Sequence, residues 1–347
     1  LESFLSLNFN KQLTNDIALK GFVAHNVNQR TRDQQSYIGT GLVDFNIIDI
    51  DNTTNVLNNG GIYSQRRIFG VLAEAQLQYK DYLFVTLNGR NDWSSTLPQS
   101  NRSFFYPAIS AAFNFTDALN LNSRILTAGK LRASWTKLGN DAPVYALNTT
   151  YALNPQFVSQ SVQFPFNGIA GTTFGGIPGT SDVVPDPNLT PEFTRTIEIG
   201  TQLQFFNNRA SIDAAIYESK TTNGIASQSL PSVSGFTQYL TNFGTVSNKG
   251  VELGITVTPV SLANGFGWDL NANFTHNRNV VVELAPGVDE IIIQNLFGGG
   301  ITPVLRPGQE YGIMRGSVDY RDDEGNLLID PTNGQLIRDL NPAIIGN

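Results

Sequence analysis

The sequence has 347 residues, a net charge of −7 and only 15% charged residues, compared with roughly 25% in soluble domains. Because the net charge is negative and no dense basic run occurs, no nucleic-acid-binding surface is expected. The chain has no cysteine, which excludes a disulfide framework, thiol catalysis and cysteine-ligated zinc, and its two histidines leave little for a histidine-based metal site. No stretch approaches roughly 18 consecutive apolar residues, so no transmembrane helix is predicted, although β-strands could still cross a membrane.

Alternation of apolar and polar residues, which is typical of β-strands with one buried face, recurs from the start of the chain. The predicted strands lie, in order, at residues 5–9, 17–23, 69–79, 83–87, 105–115, 131–135, 193–205, 210–217, 251–257, 266–274 and, more weakly, 311–318. They are longer than the five or six residues usual in soluble sheets. The chain opens inside such a pattern, lacks a signal-peptide pattern, and is interpreted as an excerpt from a longer protein.

The most regular predicted hairpin joins residues 193–205 to residues 210–217. Asn207 and Asn208 supply its turn, since asparagine tolerates positive φ. One face carries only polar residues or glycine along most of its length, and the other is apolar. The apolar face comprises Phe193, Ile197, Ile199, Leu203, Phe205, Ala210, Ile212, Ala214 and Ile216. The hairpin therefore predicts a sheet with one face that must be covered by apolar material.

Predicted connections alternate between short turns and long loops, and the long loops cover residues 30–65, 138–190, 221–248 and 278–308. Loops above roughly 15 residues are uncommon in compact domains. Aromatic residues, which favour the membrane–water boundary, gather beside the short turns. They are Phe9, Tyr79, Tyr82, Phe113, Phe115, Phe205, Phe206, Phe266 and Trp268. These features predict an all-β, antiparallel, up-and-down transmembrane barrel. A soluble β-sandwich or solenoid remains the alternative.

Polar residues on the predicted strands are expected to face a barrel lumen. They are Glu74, Gln76, Glu198, Gln202, Asp213, Glu252, Asp269 and Asn271. The carboxylates among them could form a pair for glycoside chemistry, but nothing in the sequence fixes their separation. Ser94 and Ser134 have no histidine nearby in sequence to act as a base. No catalytic residue is therefore predicted, and the polar interior of such barrels is the favoured interpretation.

Aromatic residues in the long loops could contact a substrate or a partner, or could pack among themselves. They are Phe157, Phe164, Phe166, Phe174, Phe236, Tyr239 and Phe297. Packing against a partner or within the loops is favoured over direct substrate contact, because exposed apolar clusters usually mark interaction surfaces. The acidic stretch 319–339 lacks EF-hand spacing, and neither a metal nor a cofactor is predicted.

Four stretches resemble the SusC/RagA family of TonB-dependent outer-membrane transporters. Their signatures are similar to R-x-D-x-S-S, L-K-L-R-A-S-W/Y-G-x-x-G-N, N-P-x-L-x-x-E and N-x-G-x-V-x-N-K-G-V-E-L. The matching residues are 89–95 (GRNDWSS), 130–135 (KLRASW) with 139–140, 187–192 (PNLTPE), and 242–253 (NFGTVSNKGVEL). Thr136 stands where the family usually has glycine. Residues 330–335 match the family's D-x-N-G-D-G only partly, so no ion site is inferred from the resemblance.

The resemblance implies that residues 1–347 are part of one barrel domain of about 22 strands, of which the chain holds roughly ten. It implies TonB-dependent import of a large nutrient, an oligosaccharide or a peptide, across the outer membrane of a Bacteroidota-type bacterium. A SusD-like lipoprotein would cover the long-loop side, and the TonB complex would act through a plug that this chain does not contain. The alternatives are a secreted or surface all-β binding protein such as an adhesin or lectin, and an outer-membrane enzyme.

Overall fold

The computed structural model describes residues 1–148, 183–230, 236, 238–263, 265–293 and 301–346. The strands are β1 (Glu2–Gln12), β2 (Ile17–Leu42), β3 (Thr53–Tyr79), β4 (Leu83–Ser94), β5 (Ser103–Asn114), β6 (Leu126–Asn140), β7 (Val183–Pro185), β8 (Glu192–Phe205), β9 (Ala210–Ser229), β10 (Gln238–Ser261), β11 (Gly267–Leu284), β12 (Ile291–Ile292), β13 (Ile301–Leu305), β14 (Ile313–Asp319) and β15 (Arg338–Gly346). A 3₁₀ turn at Ile50–Asn52 and a helical turn, α1, at Phe115–Ala118 complete the described elements. In the described ranges, no helix has the length and apolar character needed to span a membrane.

The strands form one large sheet in which neighbours along the chain pair antiparallel. Its order is β1-β2-β3-β4-β5-β6-β8-β9-β10-β11, and the short β7 lies parallel to β10. A second sheet has the order β12-β13-β14-β15. The predicted all-β, antiparallel, up-and-down fold class is thereby confirmed.

Short connections lie at one end of the large sheet, as the sequence predicted. They are residues 13–16, 80–82, 206–209 and 262–266. In the turn between β8 and β9, Phe206, Asn207 and Asn208 have φ of 53°, 53° and 67°. This left-handed conformation suits asparagine better than most residues, which explains why two asparagines stand there. Beside the turn between β3 and β4, the rings of Tyr79 and Tyr82 meet edge to face at 5.5 Å.

The predicted bounds of the long loops are too wide, because they include residues that lie in strands. Residues 30–65 are mostly strand, because β2 runs to Leu42 and β3 starts at Thr53. Likewise residues 230–237 alone connect β9 to β10, and β11 covers the start of the predicted loop 278–308. Where β2 ends and β3 begins, both faces are mostly exposed, and in β10 register shifts between Asn242 and Val246 interrupt the alternation. The period-two pattern therefore fades although the backbone pairing continues. In the predicted loop 138–190, β6 continues to Asn140, and residues 149–182 lie outside the described ranges.

The apolar face of the β8–β9 hairpin is exposed, and the polar face is the more covered one. Ile199 and Ile216 are paired in register and are 55% and 56% exposed. On the opposite face, Gly200 and its partner Ala215 are buried. Exposed large apolar side chains recur on β1 to β6 and on β10 and β11. The sheet thus has the reverse of a soluble domain's arrangement, with apolar residues outward and polar residues on the covered side.

Candidate functional site

A three-residue ionic group lies on the polar face of the large sheet. The Arg132 guanidinium, on β6, lies 3.4 Å from Glu198 on β8 and 2.8 Å from Asp213 on β9. Gly200 makes this reach possible, because a Cβ at its position would lie 2.7 Å from Arg132 Nε. The glycine of β8 therefore leaves the space through which an arginine contacts carboxylates on two neighbouring strands.

Arg132 lines two of the cavities that open on this polar face. The larger, of about 490 Å³, is lined by Gln76, Phe84, Thr86, Ser110, Ala111, Ala112, Lys130, Arg132, Ala133, Ser134 and Glu198. The smaller, of about 280 Å³, is lined by Arg132, Asp213, Ala215, Glu252, Leu253, Gly254, Asn273, Phe274 and Thr275. Both are lined mainly by small, polar and charged side chains, and Arg132 lies between them.

The predicted polar residues fall on this same face, because residues opposite each other in register share a face. Glu74 lies opposite Asn88, and Gln202 lies opposite Asp213. On β11, Asp269 accepts a hydrogen bond from Thr258 at 2.6 Å, and Asn271 accepts one from Thr256 at 2.9 Å. That this face encloses a lumen stays a prediction.

The predicted loop aromatics are placed only in part. Phe157, Phe164, Phe166, Phe174 and Phe297 lie outside the described residues. Phe236 lies between β9 and β10, and Tyr239 is half-buried in β10, opposite Gln228 of β9. Contact of these residues with a substrate or a partner stays a prediction.

A buried carboxylate near the long-loop ends of the strands was not predicted from the sequence. The Asp141 side chain, directly after β6, is 3% exposed and pairs with Arg66 of β3. Ser94 donates a hydrogen bond to the same carboxylate, and so does Thr96, at 2.9 Å. Burial by itself opposes ionisation, but the hydrogen bonds from Arg66, Ser94 and Thr96 outweigh it and hold the pKa of Asp141 below its usual value. The segment after β6 is therefore fixed to β3 and β4 by a charged anchor.

Arg90 and Asp92 form another ionic group near the long-loop end of β4, close in sequence to Ser94. Arg90 Nε donates to Asp92 at 2.8 Å, and the Tyr106 hydroxyl donates to the same carboxylate. Arg90, Asp92 and Ser94 are the R-x-D-x-S positions of the first family signature. These three members of the signature therefore each have a structural partner at or beside the long-loop ends of β4, β5 and β6.

The third and fourth signatures meet in the same region. Leu189 is fully buried with Leu97, Phe104, Ala142 and Leu240. Asn101 donates to the carbonyl oxygens of Asn188 and Leu189, at 3.0 and 3.1 Å. Asn242 of the fourth signature accepts from the backbone N–H of Thr190 at 2.9 Å and donates to its carbonyl at 2.9 Å.

These contacts define a rim cluster, made of Arg66, Asp92, Asp141, Leu189 and Asn242 with the neighbours just described. The polar residues of the signatures could have indicated this cluster, because each signature contains polar residues at a strand end. The pairing of Arg66 with Asp141 had no local signal, because Asp141 lay in the predicted loop 138–190 and Arg66 lay between the predicted loop 30–65 and the predicted strand 69–79. The described carboxylates of the cluster are paired with arginines and hydroxyls, so its evident role is to hold the long connections against the strand ends.

The acidic stretch after β14 forms tight turns. Asp322 accepts hydrogen bonds from the backbone N–H groups of Glu324 and Asn326, at 3.0 and 2.8 Å. Asp330 accepts from Thr332 in the same way at 2.8 Å. Hydrogen bonds from Asn326 lower the pKa of Asp322, and those from Thr332 lower the pKa of Asp330. In the described ranges, no group of three metal-ligating side chains is assembled.

Comparison with known proteins assigns the fold to a family. Residues 3–336 match the model described as "TonB dependent receptor-like, beta-barrel". "TonB-dependent receptor P26" of Formosa agariphila is 30% identical over 266 residues, which are 75% of this chain and 25% of that protein. "TonB-dependent receptor P3" of the same organism is 25% identical over 313 residues, 86% of this chain and 30% of that protein. The chain thus spans about a quarter to a third of the length of these relatives.

Solved structures share the fold. The chain superposes on the structure titled "Structure of the RagAB peptide transporter" with a TM-score of 0.72 and 17% identity, over 96% of this chain and 34% of that one. For the RagAB peptide importer in its "closed-closed" state the TM-score is 0.71 at 17% identity, over 97% and 36%. The membership predicted from the four signatures is confirmed: the chain belongs to the TonB-dependent receptor-like β-barrel family, a family of the outer membrane.

Proposed function

We propose that this chain forms part of the wall of an outer-membrane importer that takes up a large nutrient, an oligosaccharide or a peptide, with energy delivered through TonB. The observation that carries the proposal is the reversed sheet, with exposed Ile197 and Ile199 on one face and the Arg132 group on the other. Only lipid, or a comparable apolar environment, covers such a face favourably. Residues 1–347 would then be a section of one barrel domain.

We infer the partners from the same relatives. A structural neighbour is titled a peptide importer, RagAB, which supports a peptide or a similarly large polar nutrient as cargo. A SusD-like surface lipoprotein would cover the long-loop side, where Phe236 and Tyr239 lie. The TonB complex would act from the short-turn side on a plug enclosed by the polar face. The chain's part is then mechanical, and no covalent chemistry is assigned to its residues.

The proposal is tested with the full-length gene in its own bacterium. Uptake of labelled peptide mixtures and labelled oligosaccharide mixtures should fall to background when the gene is deleted. The same loss is expected when TonB or the neighbouring surface lipoprotein is removed. Uptake that continues without TonB would contradict the proposal. Release of the protein from membranes by carbonate or high salt would instead support a peripheral binding protein.

A further inference from the structure

Three cations form one row across the exposed apolar face, toward the long-loop end. Lys137 of β6 lies in register opposite Arg195 of β8, and Arg195 lies opposite Lys220 of β9. We call these three residues the basic rung. Because neighbouring strands lie about 4.8 Å apart, the three charges are attached across a width of roughly 10 Å. Like charges directly opposite each other destabilise a sheet, so a bound anion would stabilise this row.

The protein itself supplies no such anion in the described ranges, where none of the ion pairs includes a member of the basic rung. The next row toward the short turns is different. There Lys249 pairs with Glu218 at 3.1 Å, and Arg278 pairs with Glu310 at 3.6 Å. The cations of that row are thus neutralised within the chain, whereas those of the basic rung are left for an external partner.

Two cations of the basic rung are held against the sheet by aromatic rings. The Lys137 ammonium lies 3.9 Å from the centre of the Phe193 ring. The Arg195 guanidinium lies 5.8 Å from the centre of the Trp135 ring. Such cation–π contacts orient a cation without neutralising it. Lys220 is exposed and completes the row.

The height of the basic rung matches the edge of a lipid layer. From Phe205, at the short turn, to Arg195 the strand advances ten residues, which is about 33 Å of strand and about 25 Å of height at the usual tilt. Between them the outward side chains are Leu203, Thr201, Ile199 and Ile197. An apolar band of a transmembrane barrel is about 25 Å tall, so the basic rung lies at its upper boundary. Trp135, one row below, has the place of an interfacial aromatic residue.

We propose that the basic rung binds phosphate groups on the head group of an outer-leaflet lipid, with phosphorylated lipid A as the ligand to test. The proposal rests on the proposed function in one respect, because the apolar face must lie in lipid. Arginine and lysine are the usual phosphate-binding side chains, and cations at this depth attract anionic lipids. A protein partner is disfavoured because the row borders the apolar band instead of rising above it.

The experiment is a titration of the full-length receptor, purified in detergent, with lipid A, followed by native mass spectrometry. The triple substitution Lys137→Gln, Arg195→Gln and Lys220→Gln is expected to weaken lipid A binding about 100-fold, since each cation contributes about a factor of five. Lys220→Gln alone, at an exposed position without an aromatic contact, should weaken it about fivefold. The single variant keeps the test valid if the triple variant fails to fold.

The matched control is Lys80→Gln, because Lys80 lies 5.6 Å from the centre of the Tyr79 ring at the opposite end of the strands. Its lipid A affinity should equal that of the wild type.

Dephosphorylated lipid A should bind the wild type about 100-fold more weakly than phosphorylated lipid A, and inorganic phosphate at the same concentration should not compete. Equal binding by the Lys220→Gln variant and the wild type, or equal binding of both forms of lipid A, would overturn the proposal. Full competition by inorganic phosphate would show that a free anion is the ligand. TonB-dependent uptake together with lipid A binding that the substitutions leave unchanged would reject the lipid site alone. Uptake that continues without TonB, together with the expected lipid A differences, would reject only the transport proposal.

Discussion

Asp141→Ala is expected to accelerate amide hydrogen exchange in residues 90–96 and 138–146 about 30- to 150-fold. The substitution removes the carboxylate that accepts hydrogen bonds from Arg66, Ser94 and Thr96. Breaking a fully buried pair costs about 3–5 kcal/mol. Because the Arg66 side chain remains 26% exposed, we expect about 2–3 kcal/mol, and local opening converts this loss into faster exchange.

The measurement is hydrogen–deuterium exchange of the full-length receptor in detergent. Asp117→Ala is the control, since Asp117 is an exposed carboxylate in α1 at the short-turn end of the sheet. It should leave exchange in both segments unchanged. If Asp141→Ala exchanges like the control, the rim cluster does not hold the connection after β6 to the strand ends.

Ile199→Arg is expected to reduce the amount of folded receptor in the outer membrane far more than Gln202→Arg. Ile199 is 55% exposed on the apolar face, about midway between Phe205 and Arg195. An arginine facing lipid near the midplane of such a barrel costs about 2–4 kcal/mol, whereas substitutions on the lumen side cost little. Gln202 lies on the polar face between Lys130 and Asp213, where an added cation has one cation and one carboxylate for neighbours.

The folded fraction is read from heat-dependent mobility on gels of isolated outer membranes. Ile199→Leu is the volume-matched control and should assemble like the wild type. Equal assembly of the Ile199→Arg and Gln202→Arg receptors would reject the assignment of the two faces.

The sequence sufficed to predict the middle of the large sheet and not its ends. In the β8–β9 hairpin, apolar and polar residues alternate along most of both strands, so the period of two revealed the strands, their faces and the turn at Asn207. Beyond Val27, β2 continues for a further fifteen residues to Leu42. There both faces are mostly exposed, and hydrogen bonding to β3 alone maintains the strand. Backbone pairing of this kind leaves no periodic pattern in the side chains.

The rim cluster shows the corresponding limit for the site. The signatures pointed to Asp92, Ser94 and Asn242 as special positions, but a signature does not say which residue each one contacts. The ion pair between Arg66 and Asp141 spans 75 residues of sequence, and it forms because β3, β4, β5 and β6 lie side by side in the sheet. Such a contact depends on the order of the strands in the sheet, and the sequence pattern predicted that order only in part.

The rim cluster and the Arg132 group have different roles on the same set of strands. Near the long-loop ends, Asp141 and Leu189 hold the connections that lead toward residues 149–182. On the polar face, Arg132 lies between carboxylates on two strands and borders both cavities. The first arrangement fixes loops in place, and the second leaves charged and polar groups accessible from one side of the wall.

The central claim is that the apolar face of this sheet lies in lipid and the polar face does not. Since the chain has no cysteine, single cysteines can be introduced along residues 197–204 of the full-length receptor, with any cysteines elsewhere replaced, and labelled with a nitroxide. In native-like vesicles, collisions with dissolved oxygen, which concentrates in lipid, should be frequent at positions 197, 199 and 203 and rare at 198, 202 and 204. Uniform collision rates along the strand, or the highest rates at 198 and 202, would contradict the assignment of this chain to a membrane-spanning wall.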